Sequence, residues 1–277
     1  MPSLVLDRLR SSNAQSRHVS KGRRGWYNAP MLFDLNLVQY VRQNGLRAGC
    51  QQILDQIGIS LDQEGSLPTQ GPLLVIANHA GMPDTFVVMA TANRDDLFQV
   101  ALAGYQEMLI ALDLEVHKHF IPIYRPATYR DSIIRLIFGK KYTYQSENEH
   151  VTSAQNKESI NKAATLLETG NTVSIFPQGS VGKATTQTGW RAGVGYLVKR
   201  IKNDDMRVVF VYIRGTNRMD IFRFLKPVRS LFKNKKVTVR YSEPLTLSAL
   251  GVDVSKSGKE IAKQIERKYY EEAKEYL

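Results

Sequence analysis

Apolar positions along this chain fall into two rhythms. Short apolar runs at 73–77, 98–103, 119–123, 172–176, 207–213 and 236–241 have the length of buried strands. Stretches of helical periodicity separate them, at 85–92, 105–112, 159–169 and 192–201. Strands alternating with helices in this way predict an α/β fold, with a mainly parallel central sheet covered by helices on both faces. Upstream, Leu32, Leu35, Val38, Leu46, Ile53, Leu54 and Ile57 recur at helical spacing, which predicts an N-terminal helical segment interrupted near Gly45. Downstream, Ile261, Ile265, Tyr269, Ala273 and Leu277 stand four apart, predicting an amphipathic helix over 257–277 docked on the sheet. Residues 1–28 are polar and basic and read as a flexible arm, leaving 29–277 as a single domain. The polar run 139–157 reads as a loop or lid.

Composition narrows the class. With 43% apolar and 23% charged residues, wholesale disorder is excluded. No apolar run reaches the length of a transmembrane helix, and the first residues lack the apolar core of a secretory signal, so a cytoplasmic chain is expected. The single Cys50 can form no internal disulfide and offers no zinc-site spacing. The net charge is +12, and residues 199–241 alone carry thirteen Lys/Arg against Asp204, Asp205 and Asp220. Such a window suits anionic lipid headgroups, nucleic acid or phosphorylated substrates, and equally a solvated basic face. No nucleic-acid reading motif or stacking platform accompanies it. Within it, Phe222, Phe224 and Leu225 interleave with Arg223 and Lys226. That pattern fits contact with an anionic membrane surface, and also fits a partly buried core segment.

The densest chemistry follows the first strand. The run Leu73-Leu-Val-Ile-Ala-Asn78 leads directly into His79, with Pro83 and Asp84 opening the next helix. Ligands of α/β sheets bind at the carboxyl ends of strands. A histidine there can serve as a general base, with a carboxylate fixing its tautomer. Spacing alone fits a strand-end histidine beside a helix-capping aspartate equally well. His117 and His119 alternate without a third ligand, so core or surface roles suit them better than a metal. Gln178-Gly-Ser180-Val-Gly182 lacks the first glycine of a hydrolase elbow. Gly179-Ser-Val-Gly182-Lys183-Ala184 is too short for a phosphate loop and has no Ser/Thr after the lysine.

Asn78-His79-x4-Asp84 after an apolar strand resembles the first motif of the glycerolipid acyltransferases, the group that includes lysophosphatidate acyltransferases. Later segments resemble that family's blocks in order: Phe120-Ile-Pro-Ile-Tyr-Arg125, Ile175-Phe-Pro-Gln178-Gly179-Ser180, Trp190-Arg191-Ala-Gly193 and Val208-Val-Phe-Val-Tyr-Ile213. The resemblance spans about residues 71–245. It implies an O-acyltransferase that moves a fatty acyl group from an acyl thioester to a hydroxyl of a lysophospholipid or glycerol-phosphate-like acceptor. In that reading His79 is the general base and Asp84 its orienting carboxylate. Arg125, Gln178, Gly179, Ser180, Lys183 and Arg191 line the acceptor site, Arg125 through an anionic group. No metal or other cofactor is implied. The donor is acyl-CoA or acyl carrier protein, and work at a membrane surface is expected. Four positions depart from the family pattern. Gln178 replaces a Glu, Val181 an Arg and Gly81 a Ser, and the fourth block lacks its Pro. These departures keep open an amino-lipid, glycolipid or secondary-metabolite acceptor. A non-catalytic lipid-binding protein on the same fold is the further alternative. Arg125 as a surface ion pair and Gln178 as a satisfied turn residue also stay open.

Overall fold

In chain order the strands are β1 (Ile59–Glu64), β2 (Leu73–Ala77), β3 (Leu97–Leu102), β4 (Phe120–Ile123), β5 (Arg125–Pro126), β6 (Gln145–Ser146), β7 (Thr172–Ile175), β8 (Arg207–Arg214) and β9 (Lys235–Tyr241). The helices are α1 (Leu35–Gln56), α2 (Asp84–Thr91), α3 (Glu149–Glu168), α4 (Gly193–Val198), α5 (Lys226–Arg229) and α6 (Gly258–Ala273). A 3-10 segment, Arg218–Phe224, leads into α5. This computed structural model describes residues 35–103, 118–126, 145–146, 149–182, 189–203 and 205–276. The expected arm 1–28, the expected helix 105–112, His117 and Lys183 lie outside those residues.

Seven strands join in the order β1-β9-β8-β2-β7-β3-β4, and β5 pairs with β6 apart from them. Every neighbouring pair in the large sheet is parallel except β8 with β9. Alternation along the strands divides the apolar side chains between two cores. Leu73, Val75 and Ala77 of β2 join Val209, Val211 and Ile213 of β8 under α1 and α2. Leu74 and Ile76 join Val208, Phe210 and Tyr212 under α3, α4 and α6. Helices therefore cover both faces, and a strand buried on both faces must be apolar throughout, as β2 is. Each large apolar side chain buried here contributes about 1.5–3 kcal/mol.

Sequence order and space diverge at β2. Its neighbours are β7 and β8, while the chain leaving it passes through α2 to β3, on the far side of β7. The carboxyl ends of β2, β7 and β8 consequently lie side by side at a crossover point, where α/β sheets place their ligands.

Two local expectations change and a third holds. Residues 149–157 of the polar run are the first half of α3. That helix buries only a stripe, including Thr152, Ser159, Ile160 and Ala163, so most of its positions stay polar. β1 was not expected, because only Ile59 of that edge strand is buried. The expected break in α1 is real: Gly45 sits at φ 83, ψ 170, a left-handed conformation that favours glycine. The two halves pack so closely that Gly49 leaves no room for a Cβ beside Val41.

Candidate active site

Beyond β2 the chain is pinned before it turns. The Asn78 amide acts as one more rung of the ladder to β8: Nδ2 donates to the Ile213 carbonyl at 2.8 Å, and Oδ1 accepts from the Ile213 N–H at 2.7 Å. The Tyr269 hydroxyl of α6 reaches the same Oδ1 at 3.1 Å and the Val211 carbonyl at 3.0 Å.

His79 follows. Its Nδ1 lies 3.1 Å from Asp84 Oδ2. That oxygen also accepts the backbone N–H groups of Ala80 at 2.7 Å and Gly81 at 2.8 Å. Asp84 opens α2 and is fully buried, so its carboxylate folds the 80–84 loop back on itself. With Nδ1–H donating to Asp84 Oδ2, the Nε2 lone pair is the one left available. Asp84 Oδ1 has no hydrogen-bond partner among the described residues. The imidazole stacks on Phe176, with ring centroids 4.5 Å apart, and its side chain remains 19% exposed.

The segment after β7 faces it. A turn closes with the Gly179 N–H on the Phe176 carbonyl at 3.1 Å, with Gly179 at φ 67. Gln178 is only 6% exposed. Its Oε1 accepts the backbone N–H of His79, and its Nε2 donates to the Tyr270 hydroxyl at 3.3 Å. Both ends of this amide are engaged by the protein, which gives Gln178 a structural role in the turn beside His79. Ser180 is half-buried beside it. The Gly182 N–H donates to the His79 carbonyl at 2.8 Å, and the Arg191 N–H to the Pro177 carbonyl at 2.8 Å. The exposed Arg191 side chain crosses Gly179 closely enough that a Cβ there would stand 3.0 Å from its Cγ. Gly179, Ser180 and Arg191 are thus gathered beside His79. The backbone of Arg125 belongs to β5, paired with Gln145 of β6, and its side chain lies outside the described residues.

Two contributors were not singled out from sequence. Arg218 donates through Nε and Nη2 to the Val181 carbonyl, at 3.2 and 2.9 Å. It places a guanidinium over the position where the resembling family carries an arginine. The second is the face of α6 that holds Tyr269, Tyr270 and Glu266. Glu266 accepts the N–H groups of Gly189 and Trp190, each at 3.1 Å. Burial pushes the Tyr269 and Tyr270 phenols above their ordinary range, so both remain protonated donors.

Cys50 is buried in α1 with its Sγ 3.9 Å from Met89 Sδ, and burial pushes its thiol up to about 12. His119 uses Nδ1 on the Leu97 carbonyl at 2.9 Å and stacks on Phe98.

The basic segment divides differently from the expected lipid contact. Phe224 is 1% exposed and packs on Phe86, with centroids 5.7 Å apart. Arg223 is buried too. It donates to Asp220 Oδ1 at 2.9 Å and to the Ile57 and Lys233 carbonyls at 3.2 and 3.1 Å. Three-residue spacing explains this, since Ile221 and Phe224 share the inward side of the 3-10 turn. Phe224 and Arg223 are therefore core residues, which corrects their assignment to a membrane. Phe222 and Leu225 are half-buried, and Lys226 is exposed. The large apolar side chains open to solvent are Met219, at 57%, and Leu231, at 78%. Several of the cations in this window are already paired: Lys235 with Asp220, Lys236 with Asp62 and Arg240 with Glu64. No helix among the described residues is long and apolar enough to cross a membrane.

Comparison with known proteins adds to this geometry. No curated protein sequence matches the chain. Among solved structures, the 1-acyl-sn-glycerophosphate (LPA) acyltransferase PlsC from Thermotoga maritima shares the fold. It aligns with a TM-score of 0.53 and 15% identity, over 87% of this chain and 82% of that one. A family model described as Acyltransferase matches residues 59–234, more than half of the chain and all of the loops at the carboxyl ends of β2, β7 and β8. A His–Asp pair at a crossover point, on that fold and inside that match, leads to one conclusion: the chain belongs to the acyltransferase family.

Proposed function

We propose that this protein transfers a fatty acyl group from a thioester, carried by coenzyme A or acyl carrier protein, to a hydroxyl of a lysophospholipid or glycerol-phosphate-like acceptor. The observation that carries the reading is the His79–Asp84 pair, 3.1 Å apart, with the ring partly open at the carboxyl ends of the central strands. The acceptor hydroxyl gives its proton to Nε2 of His79 while its oxygen attacks the thioester carbonyl carbon. The tetrahedral intermediate then expels the thiolate, which takes that proton from the imidazolium. The products are the ester and the free thiol, and no acyl-enzyme forms. Asp84 holds the Nδ1 proton and offsets the charge that develops on the ring. The similar Thermotoga protein is a 1-acyl-sn-glycerophosphate acyltransferase, which supports the same class of acceptor here. Arg191 and Arg218 are suited to an anionic group, because guanidinium forks match phosphate oxygens.

One observation favours a second reading with a different acceptor: Val181 stands where the resembling family has an arginine. A panel of lysophosphatidate, glycerol 3-phosphate, monoacylglycerol and an amino-lipid, with thiol release as the readout, separates the two. The first reading expects release dependent on a phosphorylated acceptor, and a loss of about 10²–10⁴-fold in folded His79→Ala. Near wild-type turnover in that variant would sink His79 as the base. Release that prefers an uncharged acceptor would favour the second reading.

A further inference from the structure

Helix α6 starts at Gly258, well beyond residue 234 where the family match ends. Yet Glu266, Tyr269 and Tyr270 share one face of it by their spacing, and each holds a loop of the site. Glu266 takes the N–H groups that precede Arg191. Tyr269 braces Asn78. Tyr270 meets the amide of Gln178, whose other end takes the N–H of His79. His79 is thus held on its amino side through Tyr269 and at its own N–H through Tyr270.

We propose that Tyr270, acting through Gln178, is a positioning residue for His79, and that α6 is a working part of the active site. The proposal rests on His79 being the base. An amide offers an acceptor at one end and a donor at the other, and only the oxygen can serve the His79 N–H. With its Nε2 on the Tyr270 hydroxyl, Gln178 presents Oε1 to His79. Without the hydroxyl, the buried NH2 loses that acceptor and gains by rotating away, which releases the backbone from which the imidazole projects. Displacements of about 1 Å at a reacting group can cost about 100-fold in rate, so a partial release is measurable. The proposed route from Tyr270 to His79 runs through the intervening amide.

A double-mutant cycle tests this. Tyr270→Phe keeps the ring and removes only the hydroxyl. It should lower kcat about 3- to 10-fold, as expected for one neutral hydrogen bond, with KM for thioester and acceptor within about twofold. Gln178→Leu should lower kcat further, and adding Tyr270→Phe to it should cost nothing more. A kcat loss that persists in the Gln178→Leu background, a change in KM alone, or no loss overturns the proposal. If Tyr270→Phe is recovered unfolded, Gln178→Leu decides: unchanged kcat overturns the idea. Hydrogen exchange at the His79 amide, read without substrate, separates this from the functional reading. Faster exchange in Tyr270→Phe supports the positioning link even if the wild-type protein turns over no thioester, and unchanged exchange overturns the link.

Discussion

Gly81 lies against Asn217: a Cβ at Gly81 would stand 2.8 Å from the Asn217 carbonyl oxygen. Any side chain at 81 must displace the backbone after β8 or the loop that carries His79. Gly81→Ala should therefore destabilise the fold by about 1–3 kcal/mol, the usual cost of overpacking. Urea or thermal unfolding beside wild type checks the figure, and equal stability would mean that the two loops are looser than described. This contact also gives a physical reason for the missing serine of the resembling motif.

Asp84→Asn should lower kcat by about 10²–10⁴-fold while the protein stays folded, because an amide cannot offset an imidazolium. Asp84→Glu should not restore activity. Oδ2 is matched to the positions of His79 Nδ1 and the Ala80 and Gly81 N–H groups, and one more methylene on this buried side chain moves the carboxylate off all of them. Steady-state kinetics with circular dichroism as a folding control settles both variants.

Arg191→Ala should raise KM for the acceptor far more than KM for the thioester. Loss of a charge-assisted hydrogen bond costs about 1.5–3 kcal/mol, or about 10- to 100-fold in affinity. Arg125→Ala is expected to act in the same direction. Competition by inorganic phosphate against acceptor, weakened in the Arg191 variant, is the matching check.

Membrane contact, if it occurs through the β8–β9 connection, falls to Met219 and Leu231 with Arg218, Lys226 and Lys233 around them. Binding to anionic vesicles should weaken as salt rises, since exposed cations are screened. The double variant Met219→Ser, Leu231→Ser should bind less without loss of stability. Phe224→Ser should unfold the protein instead, because Phe224 belongs to the core. Equal sedimentation with neutral and anionic vesicles would remove the electrostatic component.

Cys50 should react with an aromatic disulfide only as fast as the protein opens, given a buried thiol pushed up to about 12. Labelling within seconds under native conditions would contradict that burial. Cys50→Ser should retain activity.

The sequence was most legible where a physical cause acts locally. β2 reads as a strand because both faces are buried, and His79 finds Asp84 across a short loop. β1 was hidden because an edge strand with one buried residue carries no apolar rhythm. The first half of α3 was hidden because a helix that buries a narrow stripe looks polar. The alternation of Phe222 to Lys226 fits core and membrane alike, and only the buried Asp220 partner of Arg223 decides between them. Gln178 and Tyr270 lie far apart in the chain, so nothing in either segment announces the other.

The strand order sets a timetable for biosynthesis. β2 pairs with no strand adjacent to it in sequence; Leu73 waits for Thr172 and then for Arg207. At about 5–20 residues per second, the first partner leaves the ribosome ~5–20 s after β2 does. Throughout that interval Leu-Leu-Val-Ile-Ala is an unpaired, wholly apolar ribbon beside the histidine it will later carry. Such a segment is a natural client for holding chaperones and a seed for misassociation of nascent chains. The crossover that sets His79 at the strand ends thus makes the growing chain most vulnerable before those ends come together.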